Sequence, residues 1–227
     1  MDRLDEFCSR LERTWWANRS ASKRRDAACI GVMLCGLRWV EAHRLRLKDV
    51  SVSDGMLHVR TAKGGIDRRL PIGESFATAL LQQQAEIRRR KLRSWSAAQH
   101  LQASQWLFIT HNAGRLSYEA IRRRLRDWTK DVWDRPYSPH CLRHTAALRC
   151  YLETRDVMEV HRLLGHRSLQ WTRAYLATIE GCGGFGLPDF CRGVNGPAGW
   201  TRPHAPRLFD PEDLRMKRLP DQEGGAA

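Results

Sequence analysis

Apolar side chains recur three and four positions apart along most of this chain, which is the spacing of one face of an α-helix. The clearest series follows Ser117, a residue suited to cap a helix, and would bury Tyr118, Ile121, Leu125, Trp128 and Val132. Similar spacing predicts further helices, with a short restart after Gly36, at about residues 2–16, 23–35, 39–47, 74–93, 140–153, 155–164 and 171–178. The sequence therefore predicts a mainly helical fold.

In one stretch, apolar and polar side chains alternate with the period of two that is typical of a half-buried strand. Leu57 and Val59 alternate with polar neighbours, and a Lys-Gly-Gly tip at residues 63–65 precedes a second short strand. We interpret the apolar run at residues 106–109 as another short strand. The expected fold class is therefore mainly α (α+β), with a small antiparallel β-sheet.

The charge of the chain indicates a polyanionic partner. Lys and Arg exceed Asp and Glu so far that the formal net charge is +14, which favours nucleic acid over membrane. No apolar run approaches the length of a membrane span, and the first residues are too charged for a signal peptide. The seven cysteines are scattered without a C-x-x-C pair, so we interpret them as reduced, mostly buried thiols of a cytosolic protein.

Two imidazoles and a guanidinium crowd the start of one predicted helix. His140 and Arg143 lie one helical turn apart and can face the same phosphate, and His144 follows directly. Arginine binds phosphate oxygens through a planar fork of N–H groups, and histidine can assist proton transfer. The alternative interpretation is an ordinary solvated basic face.

Four further segments extend this pattern in a fixed order. Arg38 follows a helix-ending Gly-Leu pair, and Lys63 occupies the tip of the predicted hairpin. His166 lies in an L-L-G-H segment just past a helix end, and Tyr175 follows it by nine residues. Together with H-x-x-R, the series resembles the tyrosine recombinase (phage integrase) family over about residues 23–180.

This resemblance implies the helical catalytic domain of that family and six catalytic residues. They are Arg38, Lys63, His140, Arg143, His166 and Tyr175. The two arginines would hold a phosphate, the tyrosine would attack it, the lysine would protonate the leaving 5′ oxygen, and the imidazoles would assist. No metal and no cofactor are implied. The chain would be a site-specific DNA recombinase or integrase that cuts and rejoins strands through a 3′-phosphotyrosyl intermediate.

The implied partner is double-stranded DNA, bound by a homotetramer on two sites, with accessory DNA-binding proteins as further partners and no membrane. The helix after Ser117 would turn an arginine-rich face, including Arg124, away from the core, and the residues we assign to DNA contacts are Arg122, Arg123 and Arg126. A solvated charged face is the alternative for them. Two other functions stay open: type IB topoisomerase-like DNA relaxation, which shares the chemistry, and a non-catalytic DNA-binding relative.

We expect three segments along the chain. Residues 1–22 would form an N-terminal amphipathic helix, residues 23–180 the catalytic domain, and residues 181–227 a tail rich in Gly and Pro. The resemblance implies a short form of the family, without its separate N-terminal core-binding domain. Residues 211–218 could form a short helix that docks on a neighbouring copy, or the tail could be disordered.

Overall fold

The computed structural model describes residues 3–17, 20–60, 66–91, 93–133 and 137–181 of the chain. The helices of this part are α1 (Arg3–Ala17), α2 (Ala21–Leu34), α3 (Trp39–His43), α4 (Glu74–Arg90), α5 (Ala97–Ala103), α6 (Tyr118–Trp133), α7 (Pro139–Thr154), α8 (Val157–Leu164) and α9 (Leu169–Gly181). The strands are β1 (Val50–Ser51), β2 (Met56–Val59) and β3 (Arg68–Pro71). The expected fold class, mainly α with a small antiparallel sheet, is confirmed.

Helix α2 lies at the centre of the core. All of its residues from Arg25 to Leu34 are buried, and α1, α3, α4, α6 and α7 pack around it. Helix α1 contributes Phe7, Leu11 and Trp15, which lie four positions apart on one face and are buried. Cys29 belongs to the same core, as expected for a thiol that packs as a small hydrophobe. Because α2 is covered on every side, it holds the ends of the surrounding helices in fixed positions.

The three strands form one antiparallel sheet in the order β1-β2-β3. Leu57 of β2 lies opposite Leu70 of β3, and both side chains are buried. The sheet packs against α4 and α8. The predicted hairpin strands are therefore confirmed, whereas β1 and α5 have no counterpart among the sequence-based predictions.

Two local predictions are wrong. The run at residues 106–109 is not a strand, because only its ends make isolated bridges, from Trp106 to Arg46 and from Ile109 to Arg115. Its apolar character reflects burial in the core rather than strand pairing. Helix α3 ends at His43 rather than continuing to residue 47, since the chain there enters a 3₁₀ turn over Leu47–Asp49.

The buried face predicted for α6 is correct at the centre of the helix and wrong at its start. Ile121, Leu125 and Trp128 are buried. Tyr118 is 45% exposed, because it is the first residue of the helix and lies at the edge of the core. Its ring lies 5.5 Å from that of Trp39. Val132 at the other end is only partly buried.

Two helices end at glycines, as predicted, and both glycines lie in the left-handed region. Gly36 after α2 has a φ of +97°, and Gly165 after α8 has a φ of +59°. A Cβ atom at Gly165 would lie 2.9 Å from the Arg68 side chain, so space as well as conformation requires glycine there. Both helix ends meet the side chain of Arg143 on α7, which joins them.

None of the helices within the described residues is long and apolar enough to cross a membrane.

Candidate active site

The guanidinium of Arg143 is the fixed point of the candidate site. Pro139 occupies the first turn of α7, so Arg143 extends from the beginning of that helix into the protein. Its side chain is 3% exposed, and it donates hydrogen bonds to the carbonyl oxygens of Gly36 (2.7 Å) and Leu164 (2.6 Å). Burial and the positive charge of Arg38 lower the pKa of Arg143 to about 9, so the group remains charged at neutral pH.

Glu41 is the buried carboxylate around which three arginines gather. It accepts hydrogen bonds from the backbone N–H of Arg38 (2.8 Å) and from the Arg38 guanidinium (3.1 Å), at the start of α3. It also accepts two from Arg68, at 3.1 and 2.9 Å, and lies 3.5 Å from Arg143. Burial alone would raise the pKa of Glu41, but the hydrogen bonds and charge of Arg68, with smaller effects from Arg38 and Arg143, lower it below its usual value.

Arg68 ties the sheet to the helices of the site. Its Nε atom donates to the carbonyl oxygen of Leu163 at 2.7 Å, and the N–H of Ile66 donates to the carbonyl oxygen of Gly165 at 3.5 Å. The β-hairpin is therefore attached to the end of α8 at two points. Lys63, which the sequence predicts at the tip of this hairpin, lies outside the described residues, and its role stays a prediction.

Four aromatic rings line the other side of the site. The ring of Tyr175 on α9 stacks on His144, with centroids 4.6 Å apart and planes within 1° of parallel. His140 meets His144 edge to face at 4.3 Å, and His166 meets Tyr175 in the same way at 5.9 Å. Tyr175 is partly buried, whereas His140 is exposed. The tyrosine is thus flanked by two imidazoles.

Burial and nearby positive charge lower the pKa values of three imidazoles in this cluster. The hydroxyl of Thr172, which is fully buried, lies 3.0 Å from Nδ1 of both His161 and His166. Burial and the charges of Arg143 and Arg38 lower the pKa of His166 to about 4. Burial, with His140 and Arg143, does the same for His144, and the pKa of His140 is lowered in the same direction.

The fold therefore brings five of the six predicted catalytic residues to one place, and the sixth is outside the described residues. The five are Arg38, His140, Arg143, His166 and Tyr175. Sequence reasoning missed Glu41, Arg68 and the stacked position of His144. A signal for Arg68 was present, because it shares the buried face of β3 with Leu70, where a charged residue needs a partner.

The predicted DNA-binding arginines lie apart from this cluster, on α6. Arg123 and Arg126 are exposed, and Arg122 is half-buried and pairs with Glu119 at 2.9 Å. The prediction that Arg124 shares their face is wrong. It turns inward to Asp26 at 3.2 Å, a buried carboxylate that also pairs with the buried Arg25 at 2.6 Å. Among the residues that the structure describes, no group of three or more His, Cys, Asp or Glu side chains is arranged to hold a metal ion.

Comparisons with known proteins give a consistent result. The family model described as Phage integrase family matches residues 5–180. Tyrosine recombinase XerC of Chromobacterium violaceum is 36% identical over 156 residues, which cover 67% of this chain and 48% of the relative. Tyrosine recombinase XerS of Streptococcus uberis is 32% identical over 185 residues, covering 79% and 49%. The chain spans about half the length of these curated relatives.

Solved structures share the fold. A crystal structure of XerA recombinase superimposes with a TM-score of 0.56 at 23% identity, covering 80% of this chain and 64% of the other. The XerH site-specific recombinase bound to its difH substrate, in a pre-cleavage complex, gives a TM-score of 0.59 at 22% identity, covering 81% and 50%. At such identities the likeness is one of fold.

Proposed function

This chain belongs to the phage integrase family, and we propose that it is a site-specific DNA recombinase that cuts and rejoins strands through a phosphotyrosyl bond on Tyr175. The observation that carries the proposal is the arrangement around that ring. A tyrosine hydroxyl lies in a cluster with a buried cation, Arg143, and with the neutral imidazoles of His144 and His166. This combination of nucleophile, cation and proton carriers suits phosphoryl transfer.

The two arginines would bind the phosphate in different ways. Arg143 is held by two backbone carbonyl oxygens, so its remaining N–H groups are aimed before the substrate arrives. Such preorganised donors stabilise the charge that develops in the transition state without reorganisation. The Arg38 side chain is 41% exposed, and its guanidinium is steered by Glu41. We propose that it closes on the second non-bridging oxygen.

The proposed reaction consists of two transfers that balance each other. The Tyr175 hydroxyl passes its proton to an imidazole of the cluster and attacks phosphorus, the bond to the 5′ oxygen breaks, and that oxygen takes a proton from Lys63. In the second transfer the deprotonated Lys63 takes the proton of a partner strand's 5′ hydroxyl, whose oxygen attacks the phosphotyrosine, and the released tyrosine oxygen regains its proton from the imidazole. One phosphodiester bond is lost and one is formed, so the cycle needs no external energy. Nδ1 of His166 forms a hydrogen bond with the hydroxyl of Thr172. The other ring nitrogen, Nε2, is therefore the one that would bind the phosphate.

The proposed substrate is double-stranded DNA, which the net charge of +14 favours. The DNA backbone phosphates would be contacted by Arg122, Arg123 and Arg126. Arg122 would leave its ion pair with Glu119 to make this contact. We extend the proposal to a homotetramer on two DNA sites, to accessory DNA-binding proteins, and to action in the cytoplasm. We also propose residues 23–180 as the catalytic unit, preceded by the helix within residues 1–22. Beyond residue 181, the proposed tail of residues 181–227 lies outside the described residues, and so does the short docking helix predicted at residues 211–218.

The test is a suicide-substrate assay with nicked duplexes drawn from either side of the coding region. Cleavage beside the nick lets a short fragment diffuse away, so a covalent protein–DNA adduct accumulates. The wild-type protein should form it, and Tyr175→Phe, which keeps the ring stacked on His144, should bind the duplex and form none. Salt-sensitive binding without an adduct would instead indicate a non-catalytic relative. Relaxation of plasmids that lack any specific site would indicate a topoisomerase.

A further inference from the structure

A basic cleft opens beside the candidate active site and shares Glu41 with it. Five cations line this cleft together with Leu45 and Trp106, namely Arg44, Arg46, Lys48, Arg60 and Arg115. All five are exposed. None of them belongs to the predicted catalytic set or to the arginines that the sequence assigns to DNA contacts.

Two of these cations are positioned by an aromatic ring. The guanidinium carbon of Arg115 lies 4.5 Å from the centre of the Trp106 ring, and that of Arg46 lies 5.2 Å from it. The backbones of Arg46 and Trp106 form an antiparallel bridge, which brings their side chains to the same part of the cleft. A guanidinium that lies over an aromatic face keeps the N–H groups at its edge for an acceptor. This arrangement is suited to phosphate oxygens.

The two carboxylates of the cleft are buried and already hydrogen-bonded. Asp49 accepts hydrogen bonds from the backbone N–H of Arg46 (2.9 Å) and from Nε of Arg60 (2.7 Å), and its side chain is 3% exposed. Glu41 is 4% exposed and faces the three arginines described above. The acids therefore lie beneath the surface while five positive charges face solvent. A visiting anion would meet an excess of positive charge.

We propose that this cleft binds the sugar–phosphate backbone of DNA next to the phosphate that Arg38 and Arg143 hold, with Arg46 and Arg115 as the principal contacts. The inference rests on the proposed function for the identity of the polyanion. Its location rests on Glu41, which pairs with Arg38 and also lines the cleft. The contacts would be independent of base sequence, because phosphates carry none. They would set the register of the duplex on the protein.

The test measures the affinity for a short labelled duplex over a series of salt concentrations. Each lost phosphate contact lowers the slope of log affinity against log salt by about 0.9, so Arg46→Gln with Arg115→Gln should lower it by about 1.8. The matched control, Arg13→Gln with Arg162→Gln, removes the same charge from exposed residues that do not line the cleft. It should change the slope far less. Arg46→Lys with Arg115→Lys keeps the charge and should restore the slope.

The outcomes separate this inference from the proposed function. If the Gln pair and the control lower the slope equally, the cleft is not a DNA site, whether or not the wild type forms covalent adducts. If only the Gln pair lowers the slope while the wild type forms no adduct, the cleft binds DNA and the strand-transfer chemistry is wrong. A circular dichroism melt of each variant checks the fold, which exposed side chains should leave intact.

Discussion

Arg68 and Glu41 form a bidentate buried ion pair, with nitrogen–oxygen distances of 3.1 and 2.9 Å. Their side chains are 6% and 4% exposed. The pair joins the sheet to α3, and through the Leu163 carbonyl it joins the sheet to α8. It also holds the carboxylate between the two arginines that we propose as the phosphate clamp. One ion pair therefore supports both the fold and the site.

Replacing Arg68 with Met should destabilise the protein by about 3 kcal/mol, because the substitution leaves a buried carboxylate short of its main partner. This loss of unfolding free energy is at the low end of the range for removing one partner of a buried ion pair, because Arg38 and Arg143 still face Glu41. Urea unfolding at pH 7 measures the change. Arg122→Met removes an ion pair of similar geometry that is exposed, and it should leave the midpoint unchanged. Equal loss in both variants would contradict the structural role of the buried pair.

Replacing Arg143 with Lys should reduce the cleavage rate on the order of a hundredfold or more, as for other transition-state donors that are removed. Lysine keeps the charge, but it lacks the planar fork that binds two carbonyl oxygens and a phosphate together. Single-turnover adduct formation at saturating DNA measures the rate. Arg13→Lys, an exposed change on α1, is the control and should cleave at the wild-type rate. A normal rate for Arg143→Lys would leave Arg143 with a structural role alone.

The proposed acid can be tested by changing the leaving group. Lys63→Ala should cleave ordinary DNA slowly, and a substrate with sulfur in place of the bridging 5′ oxygen should restore the rate, because a thiolate leaves without a proton. The measurement is the ratio of the rates of adduct formation with the sulfur substrate and with ordinary DNA. Arg143→Lys serves as the comparison, since a clamp defect should persist with sulfur. Absence of rescue for Lys63→Ala would mean that another group supplies the proton.

The stability of the protein should fall as the pH falls from about 6.5 towards about 4, partly through His144. Its folded pKa is about 4, while an exposed imidazole titrates near ~6.5. Between these values the unfolded chain binds the additional proton, so the free energy of unfolding decreases with decreasing pH. Burial is the main reason that His144 resists protonation, and the charges of His140 and Arg143 add to it.

His144→Phe should therefore show a shallower fall over this range, while keeping the stack on Tyr175. Urea midpoints at several pH values measure it. His144→Ala also lacks the titrating group, but it loses the stack and should be less stable than His144→Phe at pH 7. A pH dependence of His144→Phe equal to that of the wild type would contradict this assignment.

Most of the helices could be predicted because their apolar residues recur at helical spacing and form the buried face in the structure. Ile121, Leu125 and Trp128 fall on one face at helical spacing, and the same spacing located the helices that carry the site. The run at residues 106–109 was misread because a buried loop and a buried strand have the same apolar composition. Only the pairing of strands, which depends on distant neighbours, distinguishes the two.

The sequence by itself determined the order and spacing of Arg38, His140, Arg143, His166 and Tyr175, and two left-handed glycines beside them. Residue type and local periodicity were sufficient, because these features depend on neighbours in the chain. The tertiary structure alone decided that Glu41 collects three arginines, that Arg68 turns inward, and that His144 stacks on Tyr175. These contacts, and the hydrogen bond from Arg143 to the Gly36 carbonyl oxygen, join residues up to 107 positions apart. The sequence contains many arginines. Whether one of them binds the phosphate, forms a buried ion pair or stays exposed depends on which partner folding places beside it.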